Sequence, residues 1–355
     1  MMFLLFFLAL NLFAGQIELY YDCLPDAKEQ EIFLAPSDTP LENLSLTTRL
    51  GRELEKRGWT IRSWNREAYK PWFMSWPLVK SWQDLKWLMG FGVPKKDPIE
   101  GCWVFWGLGP KVRGWDFSKL PKEKMVLFLW EPPTVQKEGY DPKIQACFSK
   151  IYTWDDDLVD GVKFFKFYYP VYREKIEKIP SFEEKKFCTM INSRLSSKHP
   201  NQLYSEREKT IRFFEDKTEE FDLYGKWWEK RKFKNWRGIV PDKLEALKNY
   251  RYCICYENTR DIKGYVTEKI FDCFATGVVP VYWGAGNIEE YVPPECFIDR
   301  RKFKDNEEMY RFLKSISKEE HEKYLKCAEA FLQSGKAKRF TQEQYMKVFL
   351  EAIGG

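Results

Sequence analysis

Fixed positive charge beside a helix beginning is the clearest chemical signal in this sequence. In the second half an apolar run, YCICYE (252–257), leads to Asn258, a short loop and Gly264-Tyr265-Val266-Thr267-Glu268-Lys269. Another apolar run, KFCTMIN (186–192), leads through a polar loop to Arg207 in the first turn of a helix. Each junction sets backbone N–H groups, the positive end of a helix dipole and a cation beyond the carboxyl end of a strand. That combination suits a phosphate or diphosphate, which a guanidinium or ammonium meets with charge-assisted hydrogen bonds. Neither GxGxxG nor GxxxxGK[ST] occurs, so a hydride-transfer dinucleotide site or a P-loop ATPase is not supported. With only His199 and His321 present, histidine-rich metal centres and Ser-His-Asp hydrolysis are poorly supplied.

The elements that must position these residues read as βαβ units. Ser205-x-x-Glu208 has the spacing of a capping box that opens a helix through Ile211 and Phe214, and FDLYG (221–225) follows as a strand. Pro241 suits the start of another helix. Thr267 stands where it would cap a helix carrying Ile270, Phe271, Phe274 and Ala275 on one face. Gly277 closes that helix and VVPVYWG (278–284) is the next strand. Strand, helix, strand occurs twice, which requires a parallel sheet with helices on both faces. Ser317-x-x-Glu320 opens a further helix whose apolar stripe includes His321, so a packed histidine is expected there.

The first half carries IELYY (17–21), CWVFWGL (102–108), MVLFLW (125–130) and KIYTW (150–154), apolar on both alternating faces as in buried parallel strands. A helix candidate lies near 43–57. Residues 171–186 are charged and interrupted by proline, and mark the expected domain boundary. The 355 residues suit two domains or three. A content of 44% hydrophobic and 31% charged residues excludes a disordered tail protein and a polytopic membrane protein. A net charge of +5 without a run of Lys/Arg gives no nucleic-acid stripe. The nine cysteines show no CxxC and no zinc spacing; Cys253 and Cys255 share one strand face, and buried thiols are expected. Residues 1–15, MMFLLFFLALNLFAG, are short for a bilayer span and look like a targeting or anchoring segment.

From Tyr252 to Gly284 the text YCICYENTRDIKGYVTEKIFDCFATGVVPVYWG resembles the signature of the α1,3/4-fucosyltransferases, the family 10 glycosyltransferases. Tyr256 stands where the family has Phe, and the loop after Asn258 is slightly longer. Weaker similarity continues through Asn201–Arg207 and FDLYG, and the first half matches sparsely. The resemblance implies an α/β fold of GT-B type, two Rossmann-like domains with parallel sheets facing a central cleft. The expected divisions are an apolar segment at 1–15, an acceptor domain at 16–175 and a donor domain at 186–355. It implies an inverting transfer of L-fucose from GDP-β-L-fucose to a hydroxyl of a glycan on glycoprotein, glycolipid or lipopolysaccharide, in α1,3 linkage to GlcNAc.

Carried over by residue, Arg207 and Lys269 are similar to the cations on the donor diphosphate, Glu268 to a carboxylate contacting the nucleotide sugar, and Asn258 and Tyr265 to donor-pocket residues. The family's base falls in a Glu-containing turn after an apolar strand. The corresponding residue is Glu131, in Trp130-Glu131-Pro132-Pro133, where an aromatic surrounding would raise its pKa and favour proton abstraction. Asp155-Asp156-Asp157 looks like the metal-binding DxD of the other glycosyltransferase fold, but the two cations already supply charge compensation. A solvated turn and no essential metal are expected, with Mn or Mg at most stimulatory. Nine of 15 tryptophans lie between Trp59 and Trp115, and a minority are expected to meet the acceptor. The same scaffold with another nucleotide sugar, or a silent carbohydrate-binding protein, are the alternatives. The expected location is a membrane or the secretory route, with no nucleic-acid partner.

Overall fold

The computed structural model describes residues 16–21, 46–57, 60–63, 101–108, 115–217 and 219–354. It divides into two compact units. The first comprises residues up to Thr153, Leu158–Lys166 and Met346 onward; the second comprises Trp154–Asp157 and Phe167–Tyr345. The boundary expected within 171–186 therefore falls earlier in the chain. The charged segment is fastened to the second unit: Tyr172 N–H donates to the Phe340 carbonyl, and Ile176 N–H to Ala275. Arg173 also meets the buried Asp272 carboxylate. The chain's end departs from expectation too, since residues 346 onward belong with the first unit rather than the donor domain.

In the first unit six strands form one parallel sheet in the order β2-β1-β3-β4-β5-β6. They are β1 (Gln16–Tyr21), β2 (Thr60–Ser63), β3 (Gly101–Trp106), β4 (Met125–Leu129), β5 (Lys150–Thr153) and β6 (Phe164–Lys166). Helix α1 (Leu46–Lys56) precedes β2, and the single turn α2 (Pro142–Gln145) precedes β5. All five residues of β4 are buried, as its unbroken apolar text requires. Phe105 packs edge-on against Phe148 on one face. On the other, Phe128 stacks on Tyr152 and on Phe349 of the chain's last helix. Trp103 and Trp106 are core residues; of the nine tryptophans between 59 and 115, the other six before Trp103 lie outside the described residues.

The second unit holds a five-stranded parallel sheet in the order β11-β10-β9-β7-β8. Its strands are β7 (Lys186–Ile191), β8 (Phe221–Tyr224), β9 (Tyr250–Tyr256), β10 (Val279–Trp283) and β11 (Ile298–Asp299). Between them run α3 (Tyr204–Phe213), α4 (Lys243–Leu247), α5 (Glu268–Ala275) and α6 (Ile288–Tyr291). Beyond β11 come α7 (Asn306–Ser315), α8 (Lys318–Leu332) and α9 (Gln342–Ile353). Alternation along β9 separates two cores. Tyr252, Ile254 and Tyr256 pack with Ile211 of α3 and Met309 and Leu313 of α7. Cys253 and Cys255 pack with Ile270, Phe271 and Phe274 of α5 and Phe331 of α8. Burying one such Ile or Phe contributes roughly 1.5–3 kcal/mol, so the two helix layers hold the sheet from both sides.

Helix ends follow the sequence in part. Ser317 and Glu320 form the capping box of α8, and His321 is buried with its Nε2 3.1 Å from the Arg251 carbonyl. Burial lowers the His321 pKa. Gly277 ends α5 in the left-handed region at φ 62°. Ser205 does not cap α3: the helix starts at Tyr204, two residues earlier than a Ser205 cap would place it, and the Gln202 side chain bonds both the Ser205 N–H and hydroxyl instead. Pro241 stands just before α4, which starts at Lys243 and is capped by Asp242. Cys188, Cys253, Cys255, Cys273 and Cys296 are buried free thiols. Among the described residues no helix is long and apolar enough to cross a membrane, and residues 1–15 lie outside them.

Candidate active site

The site is built where β7 and β9 end in the second unit. β9 closes on Tyr256, and the next side chain, Glu257, is fully buried. A carboxylate taken out of water must be paired and hydrogen-bonded. Here Glu257 Oε1 accepts the Thr267 N–H at 3.0 Å and the Thr267 hydroxyl at 2.8 Å, while Oε2 faces Lys269 Nζ at 3.0 Å. Thr267 occupies the N-cap position of α5 without capping it, because its hydroxyl is turned to Glu257. Gly284 makes room for this arrangement. A Cβ there would stand 2.5 Å from Glu257 Cγ and collide with the Tyr282 hydroxyl.

Arg207 comes from the first turn of α3 and is only 3% exposed. Its Nη2 donates to the Tyr256 carbonyl at 2.7 Å and to Asn258 Oδ1 at 3.0 Å. Its Nε is buried and has no hydrogen-bond partner among the described residues. Burial depresses the Arg207 pKa, while Tyr204 and Glu257 act against that. For Lys269 burial also lowers, but Glu257 and Glu268 outweigh it and raise the pKa; Arg207 is near enough to pull it back. The two cations therefore sense one another and share Glu257 as a neighbour.

Asn258 joins the remaining residues. Its amide accepts from Arg207 and reaches the Tyr265 hydroxyl at 3.5 Å. The Tyr265 ring is buried, with its centroid 4.6 Å from that of Trp154. Glu268 opens α5 with 41% of its side chain exposed, 3.4 Å from Lys269 and 3.8 Å from Lys243 of α4. Burial alone would raise its carboxyl; Lys269 and Lys243 outweigh that and bring it down to about 2. Arg207, Asn258 and Tyr265 thus form one bonded set and Glu268, Lys269 and Glu257 another, and the two meet where Asn258 follows Glu257 in the chain. Sequence reasoning missed Glu257 and Lys243. The signal for Glu257 was its place at the end of a strand buried on both faces, where a glutamate needs a cation.

Glu131 lies in the first unit, two residues beyond β4 and half-buried, and its carbonyl accepts the Tyr140 hydroxyl at 3.1 Å. Trp130 beside it packs on Trp106 with centroids 5.9 Å apart. The acidic triplet after β5 is not the solvated turn expected from sequence. Tyr291 donates to Asp156 at 2.6 Å and Asn287 donates to it at 2.9 Å. Asp155 accepts the Asp157 N–H, and Lys263 pairs with Asp157. Among the described residues no group of three His, Cys, Asp or Glu side chains is placed to hold a metal ion.

Residues 182–347 match the model of glycosyltransferase family 10 (fucosyltransferase), C-terminal part. The match lies almost wholly within the second unit. An α-(1,4)-fucosyltransferase of Arabidopsis thaliana is 38% identical over 71 residues, 20% of this chain and 18% of the relative. The α-(1,3)-fucosyltransferase FucT of Helicobacter pylori is 36% identical over 77 residues, 22% of this chain and 16% of the relative. The matched segments thus span under a fifth of either relative. The crystal structure of an α1,3-fucosyltransferase with GDP superposes with a TM-score of 0.51 at 13% identity, covering 96% of this chain and 90% of that one. The fold is of GT-B type, each unit a Rossmann-like parallel sheet. The matched residues include Arg207, Lys243 and Lys269.

Proposed function

We propose that this protein is an inverting glycosyltransferase that moves L-fucose from GDP-β-L-fucose to a hydroxyl of a glycan acceptor, O3 of GlcNAc being the position the family resemblance favours. One observation carries the reading: Arg207 and Lys269, from the beginnings of two different helices, both engage the end of β9, Lys269 pairing with the buried Glu257 and Arg207 bonding its neighbours Tyr256 and Asn258, and the buried Nε of Arg207 has no partner among the described residues. In this reading both cations grip the donor's diphosphate, whose negative charge grows as the glycosidic bond breaks. Fixed cations stabilise that charge without reorganisation, and loss of either lowers the rate roughly 10²–10³-fold. Asn258 orients the Arg207 guanidinium, and Tyr265 supports Asn258. Glu268 and the α5 beginning border the donor. Glu131 takes the proton from the acceptor hydroxyl as it attacks from the face opposite the departing diphosphate. The charge compensation resides in side chains, so transfer is expected to persist in EDTA, with Mn or Mg at most stimulating it. No nucleic acid takes part.

The test is GDP release from GDP-fucose in the presence of glycan acceptors, beside a thermal-shift panel of nucleotide sugars. A ligand that binds only the native state raises the apparent melting temperature by mass action. Turnover with GDP-fucose supports the reading; a shift with a different nucleotide sugar alone replaces the donor; glycan binding without turnover makes the protein a silent lectin. Glu131→Ala is expected to abolish transfer and spare GDP binding. Activity at a tenth or more of the original would remove Glu131 from the role of base.

A further inference from the structure

The Lys269 ammonium has three N–H bonds, and three oxygens of the chain already face them. Glu257 Oε2 and Thr267 Oγ1 each lie at 3.0 Å, and Glu268 Oε1 at 3.4 Å. A diphosphate oxygen can be gripped only if one of the three withdraws. Glu257 is fixed: it is fully buried, and it also takes the N–H and hydroxyl of Thr267. Thr267 is fixed through the same bonds. Glu268 is the least tightly held of the three, since its contact with Lys269 is the longest and its side chain is partly in solvent, its other bonds being to Thr267 and to its own backbone N–H.

A second cation is placed to receive it. Lys243 Nζ lies 3.8 Å from the same Glu268 oxygen. It is anchored independently of the site, 2.7 Å from Asp272 Oδ2, and the other oxygen of that buried carboxylate pairs with Arg173. Charges therefore alternate along one chain: Arg173, Asp272, Lys243, Glu268, Lys269, Glu257. Lys243 holds its place on Asp272 whichever way Glu268 turns.

We propose that Glu268 is the resident counter-ion of Lys269 which the donor's diphosphate displaces, and that Lys243 receives the displaced carboxylate. The inference rests on Lys269 as a diphosphate ligand, as argued under Proposed function. The exchange brings one anion to Lys269 as another leaves, so a largely buried ammonium is never left unpaired. No proton moves, because Lys269 and Lys243 keep Glu268 ionised far below neutral pH. After transfer the returning carboxylate competes with GDP and helps to expel it.

Titration calorimetry of the full chain with GDP tests this. Glu268→Gln removes the competitor and is expected to tighten GDP by about fourfold or more, the factor for unit charges about 5 Å apart under water-like screening. Lys243→Gln removes the receiver and is expected to weaken GDP in the wild-type background but not in Glu268→Gln. Arg173 remains on Asp272 in that variant. A merely structural Lys243 would weaken GDP equally in both backgrounds, which would overturn the proposal, as would a Glu268→Gln protein that binds GDP no tighter than the wild type. A wild-type chain that binds no GDP would instead sink the functional reading beneath it.

Discussion

Replacing Glu257 by Gln probes the centre of the site with a change of one functional group. The carboxylate is fully buried, and its partner Lys269 has a side chain only 14% exposed. Glutamine can still accept the Thr267 N–H, but its amide then turns N–H donors, or an uncharged oxygen, toward the ammonium. Removing one member of a buried ion pair costs about 3–5 kcal/mol, because the other charge is left uncompensated. Lys269 retains Thr267 at 3.0 Å and Glu268 at 3.4 Å, so the low end, about 3 kcal/mol, applies. For a unit the size of Phe167–Tyr345, each kcal/mol moves the midpoint by about 2–4 °C, and the variant should melt roughly 6–12 °C below the wild type. GDP binding should weaken in the same protein, because Lys269 loses its fixed position. Circular dichroism melts with and without GDP read both effects. A second substitution sharpens the test: with Lys269→Met in place, Glu257→Gln should lose part of its cost, since the pair then leaves together. A single variant that melts within about 2 °C of the wild type would refute the claim that Glu257 carries Lys269.

Lys185 and Gly284 give further checks. Lys185 is buried, donates to the Gly277 carbonyl, and burial lowers its pKa to about 8. The unfolded chain therefore holds this proton more tightly, so stability rises with pH between about 8 and 10.5, by about 3 kcal/mol. Lys185→Met should lack that rise and gain stability at neutral pH; urea unfolding at pH 7 and pH 10 reads it, and equal slopes in both proteins would count against it. Gly284→Ala drives a methyl group against Glu257 Cγ and should cost about 1–3 kcal/mol together with GDP affinity. Gly335→Ala meets open space and is the control in the same denaturation series.

The parts of the fold that were legible are those where one physical demand acts alone. A strand buried on both faces must be apolar throughout, and β4 and β9 declare themselves in MVLFL and YCICY. The capping box of α8 is local and reciprocal, so four residues suffice to recognise it. Where two demands compete, sequence reading fails in a consistent way. Ser205 and Thr267 both have the right type for an N-cap, yet Gln202 takes over the first position and the needs of Glu257 recruit the second. The linker at 171–186 reads as free because its anchors, Asp272, Ala275 and Phe340, are about a hundred residues or more away.

The same distinction explains what was missed in the site. Arg207 and Lys269 are visible because helix beginnings beside parallel strands are recurrent anion sites. Glu257 is not, because nothing within four residues says which cation it meets; only the closed fold brings Lys269 to it. Yet the requirement is present in the sequence. A carboxylate at the end of a doubly buried strand cannot remain unpaired, so it demands a cation from another element, and the cation it demands is one already suspected of binding phosphate. The acidic triplet failed for the converse reason. A run of three aspartates reads as solvent-facing, but Asp156 is taken up by Tyr291 and Asn287, more than a hundred residues away along the chain. Both cases follow one rule: a charged side chain reports its element's position, and its partner reports the fold.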